Sequence, residues 1–429
     1  MKIEDGLRGF GKLPEAPDKL SIIPIHASDR GTFKKCRRRW HWSSPMRENL
    51  VPRAELGGIY LPLWFGSGVH WALARYYDPF LKRDPVETFK TWWELQWNGG
   101  VTTEEWLPTL YDRSPRILAV TNVPELALDE HTALVDSPVQ AYKVRGLKDI
   151  IGDLQQEEFE EHRDLGIGML TFYKQYAAER DNFNVIVAEH TFSVPVRNPD
   201  TGEILTWVDH RDGQVKEVHL RGTEDAIVQD RESGRYGILE HKTAAKIDED
   251  YFAKLDKDEQ CSTYMYAGQR EAEHYDLPFR KIDFVIYNAL RKAYPKPPTE
   301  LKNGMFSIDR AKESTTVEML EEFIEDRGIG IIVEMDQKLK NYVDYVREAG
   351  YEQFVQRDLV HRNQNEITSV EVRLYWEVID MLSDPKLYPN PTGEWSCLRC
   401  PFRAPCIAVD DGSDWQMMIE EEYEKNWSR

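Results

Sequence analysis

The stretch Tyr236-Gly237-Ile238-Leu239-Glu240-His241-Lys242-Thr243 joins a short apolar run to an acid and a lysine two residues apart. Such a run predicts a β-strand. Because alternate residues of a strand face the same side of a sheet, Glu240 and Lys242 are expected to point together. A second predicted strand, Asp225–Gln229, begins with an acid. Pairing of the two strands would bring Asp225 to the same place.

Two carboxylates beside a lysine suit phosphate chemistry. Carboxylate oxygens are the ligands preferred by Mg²⁺ and Mn²⁺, and a lysine can orient water or stabilise charge on phosphorus. The pattern alone is also compatible with a solvated strand end. Acid-x-Lys recurs at Glu300/Lys302, Asp336/Lys338 and Asp384/Lys386. Only the pair at 240/242 follows an apolar strand.

Two predicted helices carry further candidates. Gln260 and Tyr264 are four residues apart and share a helix face, where they could hold a water and a phosphate oxygen. Ordinary helix surface is an equally good interpretation of that spacing. His70, beside Val69 and Leu73, is either a packed histidine or a metal ligand.

Outward from these motifs, strand and helix patterns alternate. Further strands are predicted at Val185–Val194, Val215–Leu220 and Ile282–Tyr287, with a helix at Lys254–Arg270. These elements predict an α/β fold with a small mixed sheet flanked by helices.

The chain has 429 residues, 41% of them hydrophobic, and its 55 basic and 75 acidic residues give a net charge of −20. This average disfavours nucleic acid, but a local basic patch can still bind phosphates. One basic run is interleaved with Phe33, Trp40 and Trp42: Arg30, Lys34, Lys35, Arg37, Arg38 and Arg39. It suits a groove that follows a nucleic-acid backbone, or alternatively an amphipathic helix with a solvated basic face.

Four cysteines form a pattern typical of a metal site. Cys397, Cys400 and Cys406 are spaced C-x2-C-x5-C, and Cys36 lies far upstream. Reduced thiolates in a cytoplasmic protein are expected, and the spacing permits Zn²⁺ or an iron–sulfur cluster. No membrane contact is expected, because no apolar run approaches about 18 residues.

The order of the motifs resembles a known family. Gly66-x3-His70-x2-Leu73, Gly222-x2-Asp225, Glu240-x-Lys242 and Gln260-x3-Tyr264 resemble the RecB-like nucleases of the PD-(D/E)XK superfamily. With the cysteines, they resemble the branch stapled by a four-cysteine iron–sulfur cluster, which includes the AddB nuclease domain and CRISPR-associated and phage exonucleases. The resemblance covers roughly residues 28–78, 185–290 and 395–407.

This resemblance implies a restriction-endonuclease-like core and a role for each motif residue. His70, Asp225, Glu240 and the His241 carbonyl would bind the catalytic Mg²⁺ or Mn²⁺, and Lys242 would act on the attacking water. Gln260 and Tyr264 would position water and the DNA backbone. A [4Fe–4S] cluster would be held by four thiolates: Cys36, Cys397, Cys400 and Cys406.

The implied activity is that of a metal-dependent DNA exonuclease acting at DNA ends or on single-stranded DNA. Recombination, repair or phage DNA processing would be its setting, with a recombination or annealing protein as a possible partner. One alternative is a nuclease-fold subunit that binds DNA ends in a recombination or CRISPR-adaptation complex. A protein with only a structural zinc staple is another.

Six parts are predicted along the chain: an N-terminal part at 1–80 with Cys36 and His70, a helical insertion at 81–181, the nuclease core at 182–300, a helical region at 301–388, a cysteine segment at 389–409 and an acidic tail at 410–429. The tail is expected to be solvated and mobile.

Overall fold

The computed structural model describes most of the chain. It covers residues 21–53, 61–103, 121–122, 141–148, 156–209, 212–275, 277–383, 386–389, 397–398 and 400–425. Within these ranges, no helix is long and apolar enough to cross a membrane.

The strands of these ranges, in chain order, are β1 (Ile23–His26), β2 (Leu50–Pro52), β3 (Gly99–Thr103), β4 (Thr121–Asn122), β5 (Ala141–Arg145), β6 (Phe183–Pro195), β7 (Thr206–Val208), β8 (Val215–Asp230), β9 (Tyr236–Ala244), β10 (Phe284–Arg291), β11 (Val355–Val360) and β12 (Tyr423–Lys425). The helices are α1 (Ala27–Lys35), α2 (Arg37–Ser43), α3 (Leu61–Tyr77), α4 (Pro85–Asn98), α5 (Gln156–Arg180), α6 (Glu249–Ala253), α7 (Glu259–His274), α8 (Val317–Asp326), α9 (Gly330–Met335), α10 (Gln337–Ala349), α11 (Gln364–Leu382), α12 (Arg403–Asp411) and α13 (Trp415–Glu422).

A seven-stranded mixed sheet forms the centre of the molecule. Its path is β1-β8-β9-β10-β11, and β6 and β7 also pair with β8. The β1–β8 and β9–β10 pairs are parallel, whereas β6–β8, β8–β9 and β10–β11 are antiparallel. The α/β class and the mixed sheet predicted from the sequence are therefore confirmed.

Helices cover both faces of this sheet. Leu239 packs with side chains of α3, α4 and α5, whereas its neighbour Ile238 packs with side chains of α7 and α11. Consecutive strand residues thus enter different cores, as a sheet buried on both faces requires. The glycine at Gly68 allows α4 to come close to α3, since a Cβ atom there would overlap the Trp92 ring.

Two strands of the main sheet illustrate how the structure departs from the sequence predictions. β8 is one continuous strand where two, Val215–Leu220 and Asp225–Gln229, were predicted. β11 lies inside the region 301–388 that was predicted to be helical, and it extends the main sheet beside β10. Its sequence, VQRDLV, gives little strand signal, because polar residues fill most of the stretch between Val355 and Val360. Only these two terminal residues are buried.

The segment predicted as a helical insertion contributes to the main core. Its helices α4 and α5 bury Trp92, Trp93 and Tyr173, and these side chains pack with residues of the main sheet. The same segment also contains a three-stranded antiparallel sheet, β3-β5-β4, which the sequence analysis did not predict.

The acidic tail is folded over its described part. β12 pairs antiparallel with β2 near the N-terminal helices. Tyr423 is 5% exposed, and its ring stacks on Phe402 at a centroid distance of 5.1 Å. Most acidic side chains of this segment are exposed, as expected of a solvated tail. The segment nevertheless has secondary structure, α13 and β12, which the sequence analysis did not predict.

Candidate active site

The two acidic motif residues meet where β8 and β9 pair. The antiparallel register pairs Ala226 with Leu239. Asp225 and Glu240 therefore lie opposite each other at the next position along the two strands. The His241 backbone N–H donates a 2.6 Å hydrogen bond to Asp225 Oδ2. The main chain of β9 thus fixes one carboxylate beside the other.

His70 reaches this point from α3. Its Nδ1 lies 3.2 Å from Asp225 Oδ1, and the two side chains are 31% and 23% exposed. The close packing of α3 against Trp92 at Gly68 sets the position of this helix over the sheet. His70 is therefore placed as a partner of Asp225 at a solvent-accessible edge.

Lys242 and Gln260 both contact the second carboxylate. The Lys242 ammonium donates to Glu240 Oε1, and Gln260 Nε2 lies 2.9 Å from the same oxygen. Gln260 is in the first turn of α7. Asp258 is the N-cap residue of this helix, and its side chain accepts a hydrogen bond from the Cys261 N–H. An acidic cap favours a helix start at this point.

Tyr264 lies one turn further along the same helix face. Its hydroxyl accepts from Gln260 Nε2 at 2.8 Å and donates to the Thr223 carbonyl at 3.0 Å. The structure thus brings together all the predicted catalytic and metal-binding residues, including the His241 backbone.

Burial and charge set the protonation of this site. Burial raises the pKa of Glu240 to about 7, although Lys242 opposes that rise. Burial also works against ionisation of Asp225, but His70, together with His241 and Lys242, outweighs burial and lowers the pKa of this carboxyl. Desolvation lowers the pKa of His241 to about 3, so its ring is neutral at pH 7.

The donor set fits a divalent cation. Glu240 is 3% exposed, and its Oε2 has no hydrogen-bond partner among the described residues. A buried carboxylate oxygen without a partner is costly unless a cation or water meets it. In the described ranges, no three or more His, Cys, Asp or Glu side chains are placed together so that they could hold a metal ion. The carboxylates instead contact His70, Lys242 and the backbone.

A comparison with protein families decides the assignment. The family model of the PD-(D/E)XK nuclease superfamily matches residues 27–407. The chain belongs to this superfamily. Its members are phosphodiester-cleaving nucleases that usually use Mg²⁺ or Mn²⁺, and their substrate is DNA. A search of curated proteins found no match.

In this PD-(D/E)XK chain, a largely buried polar network lies behind β9, and the sequence analysis missed it. Asn288 Nδ2 lies 2.7 Å from His241 Nδ1, and Asn288 Oδ1 accepts from Arg357 Nε at 2.8 Å. Arg357 Nη1 lies 2.7 Å from Asp181 Oδ1. The network joins β9, β10 and β11 to the end of α5. The one available signal was Asn288, a polar residue inside the apolar run of β10.

Tyrosines of two helices complete this network. The Tyr77 and Tyr173 hydroxyls are 2.7 Å apart, and Tyr77 also donates to Asp181 Oδ2 at 2.9 Å. The Tyr77 ring stacks on His241 with centroids 5.4 Å apart. Burial raises the pKa of Tyr173 to about 12, which keeps its hydroxyl protonated. The His241 ring is therefore packed from behind by neutral, hydrogen-bonded groups.

Glu224 is a second residue that sequence reasoning missed. Its side chain is fully buried, and neither carboxylate oxygen has a hydrogen-bond partner among the described residues. It stands opposite His190 in the β6–β8 pairing, and His190 itself bonds Glu271 of α7 at 2.8 Å. Burial, and then Glu271 and Glu240, raise the pKa of Glu224 well above its usual range.

The basic run of α1 and α2 is extensively ion-paired. Arg30 is 4% exposed and lies 2.6 Å from Glu377, while Lys34 contacts both Glu259 and Glu377. Further along the run, Arg37 meets Asp380 at 2.6 Å and Arg38 meets Asp410 at 2.8 Å. Lys35 is exposed and Arg39 is half-buried. That these six residues contact DNA stays a prediction, and much of their charge is balanced within the chain.

Three of the four motif cysteines converge at the C-terminal corner. Cys36 Sγ accepts from the Arg39 N–H at 3.5 Å, and Cys406 Sγ accepts from Arg38 at 3.3 Å. Burial raises the pKa of the Cys400 thiol, and the nearby Cys36 and Cys406 thiols add to that rise.

Cys397 is exposed, and all five cysteines are free. The Cys397 carbonyl accepts from the Cys400 N–H at 3.1 Å, so Cys397 lies beside this corner. Cys261 is buried on α7 and packs in the main core, as a small apolar side chain does.

Proposed function

We propose that this nuclease is a DNA exonuclease of the RecB-like branch. It would hydrolyse phosphodiester bonds at DNA ends or on single-stranded DNA, in recombination, repair or phage DNA processing. The observation that carries the proposal is the convergence of Asp225, Glu240 and Lys242 on paired strands, with His70 opposite them. The order of the motifs along the chain supports the RecB-like assignment.

Asp225 and Glu240 would hold the divalent cation, with His70 and the His241 carbonyl as further ligands. The bound ion would lower the pKa of a water and neutralise charge on the phosphate. Lys242, now in contact with Glu240 Oε1, would keep an ammonium beside the attacking water. Gln260 would orient that water, and Tyr264 a phosphate oxygen, from the face of α7.

End-labelled single-stranded DNA tests this function. Anaerobically purified protein is expected to shorten it from one end with Mg²⁺ or Mn²⁺ and not with EDTA, and the label that is lost gives the polarity. Asp225→Ala should abolish cleavage. Asp283→Ala is the matched control, because Asp283 is an aspartate outside the site, in an ion pair with Lys281.

Full turnover by the Asp225→Ala protein would contradict the site assignment. If the wild-type protein bound DNA ends but left them intact under every condition, a DNA-end-binding subunit would replace the exonuclease. In that case a recombination or annealing protein would be sought as its partner.

We further propose that Cys36, Cys397, Cys400 and Cys406 hold a [4Fe–4S] cluster with a structural role. Three of these thiols are neighbours, and Arg38 contacts one of them. A cationic side chain there would stabilise an anionic, thiolate-bound cluster.

Absorbance near about 400 nm and the iron content test the cluster. Both should fall in Cys400→Ser and persist in Cys261→Ser, the matched control, whose thiol lies in the main core. Colourless protein with bound zinc would instead establish a zinc staple. Protein with neither metal would exclude both.

A further inference from the structure

Helices α8, α9 and α10 form a lobe with a hydrophobic core of its own. This core contains Leu320, Val333 and Tyr342. In the described part of the chain, it shares no buried residue with the two large cores on the main sheet. None of the candidate catalytic residues lies in the lobe, so its surface is available for another purpose.

α9 is apolar on both of its sides. Val333 is buried in the lobe core, whereas Ile331 and Met335, one helical turn apart, are 78% and 83% exposed. Ile332, three residues before Met335, is 49% exposed. Among the large apolar side chains that the structure describes, only Phe80 is more exposed than Ile331 and Met335. A helix that is apolar all round is normally buried, so we expect another molecule to cover this side, which we call the apolar face of α9.

The C-terminal end of α8 lies beside this face. The Ile329 N–H donates to the Ile324 carbonyl at 3.1 Å, and Gly328, at a φ of 59°, allows the tight turn between the two helices. A Cβ atom at Gly330 would lie 3.9 Å from Ile324 Cγ2. The half-buried Ile324 is therefore next to the start of α9, and a molecule on the apolar face would also meet the end of α8.

Acidic residues surround the apolar face. α8 has five carboxylates and no basic residue in its sequence: Glu318, Glu321, Glu322, Glu325 and Asp326. Glu334 and Asp336 lie on either side of Met335 in the chain. Over residues 317–349, nine acidic and four basic residues give a net charge of −5. Three of the four basic residues are already in ion pairs: Arg327, Lys340 and Arg347.

The position of these charges is unfavourable for the chain by itself. Glu325 and Asp326 lie in the last turn of α8, which contains no basic residue. Negative charge destabilises a helix C-terminus, because the helix dipole is also negative there. Exposed apolar side chains beside unfavourable charges are typical of a binding surface, where stability is lost in favour of function.

We propose that the apolar face of α9 and the acidic end of α8 bind a basic amphipathic helix of a partner protein. Apolar side chains of that helix would cover Ile331 and Met335, while its lysines and arginines would meet the carboxylates of α8. A second copy of this chain is a poor partner, because symmetric pairing would bring two acidic surfaces together. The same charge repels the phosphates of nucleic acids and anionic lipids.

Synthetic peptides test this proposal on the full chain, in EDTA and without DNA. The probe is a helix of leucine and lysine, about 18 residues or five turns long, with all leucines on one side. A second peptide has the same composition without an apolar side, and a third has glutamate in place of lysine. In calorimetry, the probe should bind roughly tenfold more tightly than either of the others, and less tightly as salt is raised.

Two matched double variants locate the binding. Ile331→Ser with Met335→Ser should weaken binding of the probe by roughly tenfold or more, because the apolar contacts are lost. Val208→Ser with Val215→Ser changes an exposed cross-strand pair of the β7–β8 hairpin and should bind like the wild type. The Met335 methyl resonance of methionine-labelled protein should shift when the probe is added. Circular dichroism confirms that each variant is folded.

A charge reversal tests the acidic end of α8 separately. Glu325→Lys should weaken binding of the probe several-fold, because a lysine repels the lysines of the peptide. The same change should raise the unfolding midpoint, since positive charge suits a helix C-terminus. Opposite effects on binding and stability would distinguish a binding role of Glu325 from a structural one.

Equal losses in the two double variants would overturn the proposal, as would a Met335 resonance that does not move or a wild type that binds none of the peptides. Equal binding of the glutamate peptide would also overturn it, because charge would then not select the partner. A dimer in light scattering that Ile331→Ser with Met335→Ser separates would make a second copy the occupant instead. Failure of the nuclease proposal differs from all of these, because it would appear as intact DNA in the cleavage assay.

Discussion

The proposed catalytic centre and the cysteine corner both join residues that are far apart in sequence, but they are held in different ways. At the catalytic centre, paired strands fix Asp225 and Glu240, and the network through Asn288 and Arg357 supports the strand from behind. We define the cysteine corner as Cys36, Cys400 and Cys406 with their four buried apolar neighbours, Trp42, Leu50, Phe402 and Tyr423. Its strand pairing is the short β2–β12 ladder.

The difference indicates what each region depends on. A site inside a large sheet keeps its geometry through backbone pairing and a packed core. A corner with four buried apolar residues has little hydrophobic stabilisation of its own. A bound group that joins its thiols would therefore contribute more to the stability of this corner than to that of the main sheet. Substitutions should therefore separate activity from local stability.

The largest expected effect is on activity alone. Lys242→Ala should lower the single-turnover cleavage rate roughly 1,000-fold, because it removes a preorganised charge beside the reacting phosphate. Lys246→Ala is the matched control, since that lysine is 78% exposed at the end of the same segment. Iron content and unfolding midpoint should stay at wild-type values. A normal rate for Lys242→Ala would mean that the catalytic centre lies elsewhere.

The next effect is on the stability of the region behind the catalytic strand. Arg357→Met should lower the free energy of unfolding by about 3 kcal/mol, because it leaves the partly buried Asp181 without its cation. Arg347→Met, at an exposed ion pair with Glu321, should cost less than about 1 kcal/mol. Urea unfolding measures both. Equal costs would show that the network does not stabilise the catalytic region.

A smaller and local effect is expected at the cysteine corner. Tyr423→Ala should destabilise that corner by about 3 kcal/mol, through the loss of its packing on Phe402. Cys400 and Cys406 should then react faster with a thiol reagent, while the cleavage rate stays unchanged. Tyr388→Ala, at a residue 49% exposed, is the control. A parallel loss of cleavage would show that the two regions are not separable.

The smallest effect concerns Glu224 and depends on pH. Burial raises its pKa, so the folded chain holds a proton that the unfolded chain releases above about pH 4.3. Stability should therefore fall as the pH rises from there towards the raised pKa. Glu224→Gln removes this slope and should be about 1 kcal/mol more stable at pH 8, measured by urea unfolding in EDTA.

Glu217→Gln provides the comparison on the same strand, because the Glu217 side chain is 51% exposed. Its stability should follow the wild type at every pH. A Glu224→Gln protein with the wild-type slope would show that the buried carboxyl is not the group that titrates.

The convergence of the motif residues could be predicted because their signals are local. Glu240 and Lys242 occupy alternate positions of one apolar strand, and Gln260 and Tyr264 lie one helical turn apart. Strand pairing and helix placement then convert these spacings into the observed contacts. The mixed sheet was predictable for the same reason, because its apolar strands are separated by clear turn signals.

The parts that were missed depend on long-range contacts. Arg357 stands in a polar stretch and becomes a partly buried cation only because β11 extends the sheet beside β10. Glu224 gives no signal, since an acid next to Asp225 looks like part of the same polar turn. The folding of the tail was not predicted because Tyr423 stands in a charged stretch, and its partner Phe402 lies about 20 residues earlier, just before α12.

The β1–β8 pairing has a consequence for synthesis of the chain. β1 is complete about 190 residues before β8 leaves the ribosome, which is roughly 10–40 s at typical rates of translation. The delay is longer for Cys36, because Cys400 and Cys406 follow it by about 360 residues. During that time its thiol has none of its later neighbours to cover it. The helices α1 and α2 are thus synthesised early, but their contacts with the C-terminal residues form last. A nascent chain stalled before Cys400 would therefore carry an accessible Cys36.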